Sequence, residues 1–266
     1  MFSDQKFINQ KLIIQRISIS AFAIFLLSLL LAPVYAKHHE SGEAKLAMAL
    51  ANESRSETDR ARDEGRKPAQ VIEFLGVSSG MTVIDVLAAG GYYTEVLSLA
   101  VGDAGKVYAQ NSEGMLRFRD GANEKAISAR LKDNRLANVE RLNTSIADMG
   151  LAENSIDAAI TALNFHDIYN GSGAEAALGA SKAVFAALKP NAVFGVIDHH
   201  GNSGNDNAAL HRIEMALVIE TLEKAGFQIE TSDLLSNPAD TRDKMVFDSS
   251  IRGKTDRFMI RARKPG

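Results

Sequence analysis

"DVLAAGGYYTE" fills positions 85–95. It follows the apolar run "MTVI" (81–84) and opens into a stretch that reads as a helix. A strand ending in an acid, then small residues, then a helix start can hold a ligand. Small side chains let the backbone approach closely, Gly90 and Gly91 can take positive φ, and the first N–H groups of a helix are unpaired and attract anions. The same pattern also describes a tight strand–helix turn that binds nothing. Two positions where such ligand loops carry glycine hold Leu87 and Ala89.

Outward from this stretch the chain alternates. Strand-like runs lie at 81–86, 105–110, 138–143, 156–163 and 192–199, with helical patterns at 92–101, from about 111 to 131, and at 173–188. Residues 208–225 are expected to form an amphipathic helix, with Leu210, Ile213, Leu217, Val218 and Leu222 on its apolar face. "GFQIETSDLL" and "DRFMIRAR" read as two closing strands with no helix between them. Alternation of this kind predicts an α/β fold with a mostly parallel sheet covered on both faces, and the closing pair predicts an antiparallel last strand. Before the rhythm begins, residues 43–52 and 57–75 read as helices, the second interrupted by "RKP" at 66–68. The expected organisation is a signal peptide at 1–36, a helical extension at 37–75 and one α/β domain at 76–266.

The signal peptide follows from three features in order. Lys6, Lys11 and Arg16 precede an apolar stretch at 17–31, and "APVYA" ends at Ala36 with small residues around Tyr35. The apolar stretch is shorter than the ~20 residues of a typical spanning helix. Cleavage after Ala36 predicts a periplasmic or secreted protein that meets a membrane only through an uncleaved signal. It leaves 27 basic against 32 acidic side chains, a net charge of −5. That mild acidity, with no basic stripe, leaves nucleic acid out of the expected partners; the expected partner is a small molecule. The chain has no cysteine, which removes thiolate metal sites and thiol nucleophiles. His38 and His39 sit in a polar segment that reads as a solvated terminus.

The stretch "VIDVLAAGGYYTEVLS" resembles the first motif of class I S-adenosylmethionine-dependent methyltransferases, an acid followed by spaced glycines. "NVERLNTSIADMGLAENSIDAAITALNFHDI", "LKPNAVFGVIDHHG" and "EKAGFQIETSD" are similar to later segments of that family, so the resemblance spans roughly residues 67–264. "GGYYTE", "NFHDIY" and "NPADTRDKMVFDSSIRGKTDRF" look like an exported bacterial subgroup described as predicted methyltransferases. The resemblance implies a Rossmann-like seven-stranded sheet and a cofactor, S-adenosylmethionine, lying across the first two strand ends. It implies cofactor contacts from Asp85, Ala88, Ala89, Gly90, Gly91, Tyr92 and Thr94, from Gln110 and Asn111 after the second strand, from Ser145 and Asp148 after the third, and from Asn164. Gln110 stands where the family's ribose-binding acid belongs and Ser145 near its adenine-contacting acid. With Leu87 and Ala89 these departures predict weakened binding, since amides lack the charge-assisted strength of a carboxylate.

"NFHD" (164–167) and "DHHG" (198–201) follow the fourth and fifth strands, the sheet edge where α/β proteins bind ligands. His166 is the expected general base, with Asp167 orienting its imidazole. Asp198 and His199 are expected to touch the substrate. A histidine that only caps a loop is the competing reading. A metal-assisted enzyme using His166, His199 and His200 is an alternative, although neighbouring histidines in an extended segment point apart. "RGKTDRF" (252–258) could hold an anion, but a solvated turn fits it better, and His211 reads as a surface residue. Three functions therefore compete: methyl transfer to a small molecule, non-catalytic binding of a small ligand, and metal-assisted catalysis. A dinucleotide oxidoreductase is disfavoured, as no G-x-G-x-x-G follows a strand.

Overall fold

The structure is a computed structural model that describes residues 42–266. The signal segment, its cleavage site and His38–His39 lie outside the described residues. Three helices come first: α1 (Gly42–Leu50), α2 (Glu57–Arg66) and α3 (Pro68–Leu75). The break between the last two falls at the expected "RKP": Lys67 takes φ 45° as the end of α2, and Pro68 begins α3 where its missing N–H costs nothing. Then follow β1 (Thr82–Val86), α4 (Tyr92–Val101), β2 (Lys106–Gln110), α5 (Glu113–Leu131), β3 (Val139–Leu142), β4 (Ile156–Ala162), α6 (Phe165–Ser172), α7 (Ala174–Ala187), β5 (Leu188–His199), α8 (Met215–Lys224), β6 (Gln228–Ser232) and β7 (Arg257–Arg263).

The strands form one seven-stranded sheet in the order β3-β2-β1-β4-β5-β7-β6. β1 to β5 pair in parallel, and β7 runs antiparallel to both β5 and β6. In β1 the pleat sends Val83 into the core under α1, α3 and α4, and Ile84 and Val86 into the opposite core under α7 and α8. Both faces are buried, which is why the run is apolar throughout rather than alternating. Gly195 in β5 lets α3 lie close: a Cβ there would meet Leu75 Cδ1 at 2.6 Å.

Two local expectations are corrected. The helix expected at 208–225 is confined to Met215–Lys224; the chain before it forms turns, with His211 at φ 53°. Conversely, "NFHD" does not stay a loop. Phe165–Ser172 is helix α6, and its first-turn N–H at His166, which has no partner within the helix, donates to the carboxylate of Asp198, 2.8 Å away on β5.

Candidate functional site

The loop between β1 and α4 sits at the carboxyl edge of the sheet, where its order reverses direction between β1 and β4. Leu87, Ala89 and Gly91 all take positive φ, at 54°, 49° and 82°. That is glycine geometry at alternate positions, held at two of them by residues with a Cβ, at a cost of order 1–2 kcal/mol each. Three carboxamides hold it. Gln110 Oε1 accepts the Leu87 N–H at 3.0 Å while its Nε2 donates to the Thr144 carbonyl at 2.7 Å. Asn111 bonds both the N–H and the carbonyl of Ala89. Asn164 donates to the Leu87 carbonyl at 3.0 Å. Gln110 and Asn111 are buried, so these side chains shape the loop from behind.

The other expected cofactor contacts fall in several places. Ala88 donates its N–H to the Gln110 carbonyl. Gly90 packs against Ala126, and its carbonyl accepts from Arg130 Nε. Asp85 points into the core beneath α4, where Thr94 donates to it at 2.7 Å; burial pushes its pKa up to about 7. Tyr92 is buried, donates its hydroxyl to Asp63 and carries the Arg66 guanidinium over its ring at 4.3 Å. Ser145 and Asp148 are exposed and bonded to one another in a turn after β3.

The histidines gather at the next strand ends. His166 is buried, not open to a cleft. Its Nδ1 meets Asp198 Oδ1 at 2.7 Å and its Nε2 lies 3.3 Å from Asp167. Burial opposes its charge, but Asp198 and Asp167 outweigh burial and push the pKa up to about 10. This charge balance favours the protonated ring, the form that cannot take up a proton, and so weighs against the expected general base. The group that orients it is chiefly Asp198, whose oxygens also accept the backbone N–H groups of His166 and His199. Asp198 is fully buried by these bonds and does not face a substrate. His211 is not an isolated surface residue: its ring centroid lies 5.7 Å from that of His166, and its Nδ1 lies 3.7 Å from Asp167.

Beside this cluster opens a cavity of about 700 Å³. One wall is α2 with Arg62 and Arg66, followed by Lys67; the other is the segment leading into β7 with Arg252 and Lys254, and Arg257 at the start of β7; Leu163, just after β4, and His199, at the end of β5, also line it. Six cationic side chains line this cavity against one carboxylate, Glu64. Arg257 is buried, and among the described residues it donates to neutral oxygens only: the carbonyls of Gly65 and Gly253 and the hydroxyl of Thr255. Burial, followed by the charge of Arg66, holds it below the usual arginine range. Among the described residues Arg66 has no carboxylate at ion-pair distance, and burial lowers its pKa too. His199 is held neutral by burial and by the surrounding cations. Its Nδ1 meets Thr255 Oγ1 at 2.8 Å. That hydroxyl accepts from Arg257 and, with one hydrogen and two lone pairs, can pair with His199 Nδ1 in either tautomer of the ring. The "RGKTDRF" segment is thus a wall of the cavity, not merely a solvated turn. Arg62 and Arg66 lie far upstream, and no local pattern marked them; Arg257 stood in a stretch already read for anions.

No family model and no curated protein matches this chain. Solved structures match its fold. A S-adenosylmethionine-dependent methyltransferase of Aquifex aeolicus is 24% identical over 83% of this chain and 97% of that one, with a TM-score of 0.56. SpnF, a 4+2 cyclase, is 16% identical over 81% and 85%, at 0.57. A "possible exported protein" of Bordetella parapertussis is 12% identical over 77% and 68%, at 0.53. The fold is therefore the Rossmann-like fold of class I methyltransferases. The cyclase among these structures illustrates that a fold of this kind does not by itself specify the reaction.

Proposed function

We propose that this chain is an exported S-adenosylmethionine-dependent methyltransferase whose acceptor is a small anionic molecule. The observation that carries the reading is the backbone path of the β1 loop. Positive φ recurs at Leu87, Ala89 and Gly91, although only Gly91 adopts it without a steric cost. Strain kept in this way is held by surrounding structure, here three buried or half-buried carboxamides, and such outliers cluster at ligand sites. The path suits S-adenosylmethionine, which supplies an electrophilic methyl group when bound. Gly90, Gly91 and the start of α4 would lie against its amino-acid end.

The acceptor class follows from the cavity. Arg66 and Arg257 repel one another in a desolvated setting, and an anion between them relieves both. An acceptor that arrives with its negative charge also needs no proton removed, which fits a site where Asp198 and Asp167 favour the protonated form of His166. Catalysis would then rest on alignment of acceptor and methyl group.

Titration calorimetry with S-adenosylmethionine and its demethylated product tests the reading. The expectation is weak but measurable binding, about one to two orders of magnitude below a site with a ribose carboxylate, from the loss of one charge-assisted bond of ~1.5–3 kcal/mol. No heat at millimolar ligand would leave the second reading, a non-catalytic anion-binding protein. One observation favours that alternative: Gln110 and Asn111 already occupy the Leu87 and Ala89 amides.

A further inference from the structure

We propose that His166, Asp167 and His211 form a binding site for one divalent transition-metal ion, which displaces the proton on His166 Nε2 to solvent as it binds. One ligand atom from each side chain can be chosen so that all three lie within 4.8 Å of one another. Metal–nitrogen and metal–oxygen bonds of about 2.0–2.2 Å at tetrahedral angles set ligand atoms roughly 3.3–3.6 Å apart around one ion. His166 Nε2 and Asp167 Oδ1 are already at 3.3 Å. Asp167 Oδ1 and His211 Nδ1 are at 3.7 Å and need a contraction of a few tenths. Two imidazoles and one carboxylate suit zinc, cobalt, iron or manganese better than calcium or magnesium.

The surroundings are those of a built site. The second nitrogen of His166 is held by buried Asp198 at 2.7 Å, the carboxylate–histidine pairing that orients metal-bound imidazoles. The two ligand-bearing elements are tied together: Asn170 on α6 donates to the carbonyl of Arg212, next to His211. Arg212 is itself fully buried and locked by a two-bond pair with Asp240 and by the His200 and Lys244 carbonyls. That anchoring holds His211 at φ 53°. Asp167 and His211 are exposed on their outer sides, 52% and 40% at the side chain, so an ion there keeps open positions for water or ligand. The cluster adjoins the cationic cavity through two residues that line it: the ring of His199, 6.0 Å from His166, and that of Phe247, 5.1 Å from His211. The ligand set differs from His166, His199 and His200. His199 Nδ1 is taken by Thr255, and His200 Nδ1 is bonded to the Gly201 carbonyl.

The test reads metal content and so stands apart from methyl transfer. The purified full chain is stripped with chelator, then titrated with Co²⁺ and Zn²⁺, with elemental analysis and the visible spectrum of bound cobalt as readouts. One ion per chain is expected. His211→Asn, an exposed change, and Asp167→Asn, whose melting is compared with the parent because it removes a partner of His166, are expected to weaken binding at least about 10–100-fold. A His38→Ala/His39→Ala double variant is expected to retain the ion. Retention of the ion by folded His211→Asn, its loss from the His38/His39 variant alone, or no binding of either metal at ~0.1 mM would each overturn the assignment.

Discussion

Gln110 serves two backbone groups from a fully buried position, the Leu87 N–H and the Thr144 carbonyl. Gln110→Ala strands both, and since an unsatisfied buried group costs about 1–3 kcal/mol, a loss of ~2–4 kcal/mol is expected in urea denaturation. Ala89→Gly should behave oppositely. It removes a Cβ from φ 49° while adding unfolded-state freedom, so the expected change is a gain of no more than about 1 kcal/mol. Two buried titrating groups give stability a pH slope. The Asp85 pKa stands at about 7 against an ordinary 3.8, so the folded chain holds that proton more tightly. Its contribution is complete below pH 3.8 and lost as pH rises through 7. The His166 pKa stands at about 10 against 6.5; its contribution is complete below pH 6.5 and lost as pH rises through 10. Urea midpoints from pH 4 to 10 check both. Asp85→Asn should flatten the lower part of the slope and His166→Gln the upper.

At the scale of elements, α6 is the instructive case. It has eight residues, two of its last positions are glycine and serine, and no side chain of its own N-cap residue bonds its first turn. The cap comes from Asp198 on β5, across the sheet, so local sequence read as a loop. By contrast, α4 and the break at Lys67–Pro68 have their boundary signals in place, and the structure puts them where those signals stand. The packing of α3 on β5 depends on one missing methyl. Gly195→Ala would push a Cβ into Leu75 at 2.6 Å, and overpacking of this kind costs about 1–3 kcal/mol. A thermal melt checks it; an unchanged midpoint would mean that α3 shifts freely.

Across the whole molecule, the cavity exists because α2, from the start of the chain, and the segment before β7, from its end, close over the ends of β4 and β5. Arg257 fastens the two walls by donating to the Gly65 carbonyl at 3.0 Å. A multivalent anion such as citrate or phosphate should therefore raise the melting temperature, by linkage equivalent to about 2.7 kcal/mol at one hundred times its Kd. The effect should fall with added sodium chloride and largely vanish in Arg66→Ala. If Arg66→Ala responds to the anion as the parent does, the cavity does not bind it.

What the sequence by itself determined was the alternation of strand and helix, the seven-stranded mixed sheet and the ligand-loop form of residues 85–95. Each of these is written in short-range patterns: apolar runs, a β1 end followed by small residues, and Pro68 at a helix start. Tertiary structure alone decided what the polar side chains do. Gln110, Asn111 and Asn164 became braces for the loop because Leu87 and Ala89 needed holding. His166 is buried against Asp198, 2.7 Å away, whose charge favours its protonated form. His211, Arg66 and Arg257 entered one sheet edge from three distant segments. The physical reason is that secondary structure follows from neighbours along the chain, whereas charge state and ligand geometry follow from neighbours in space.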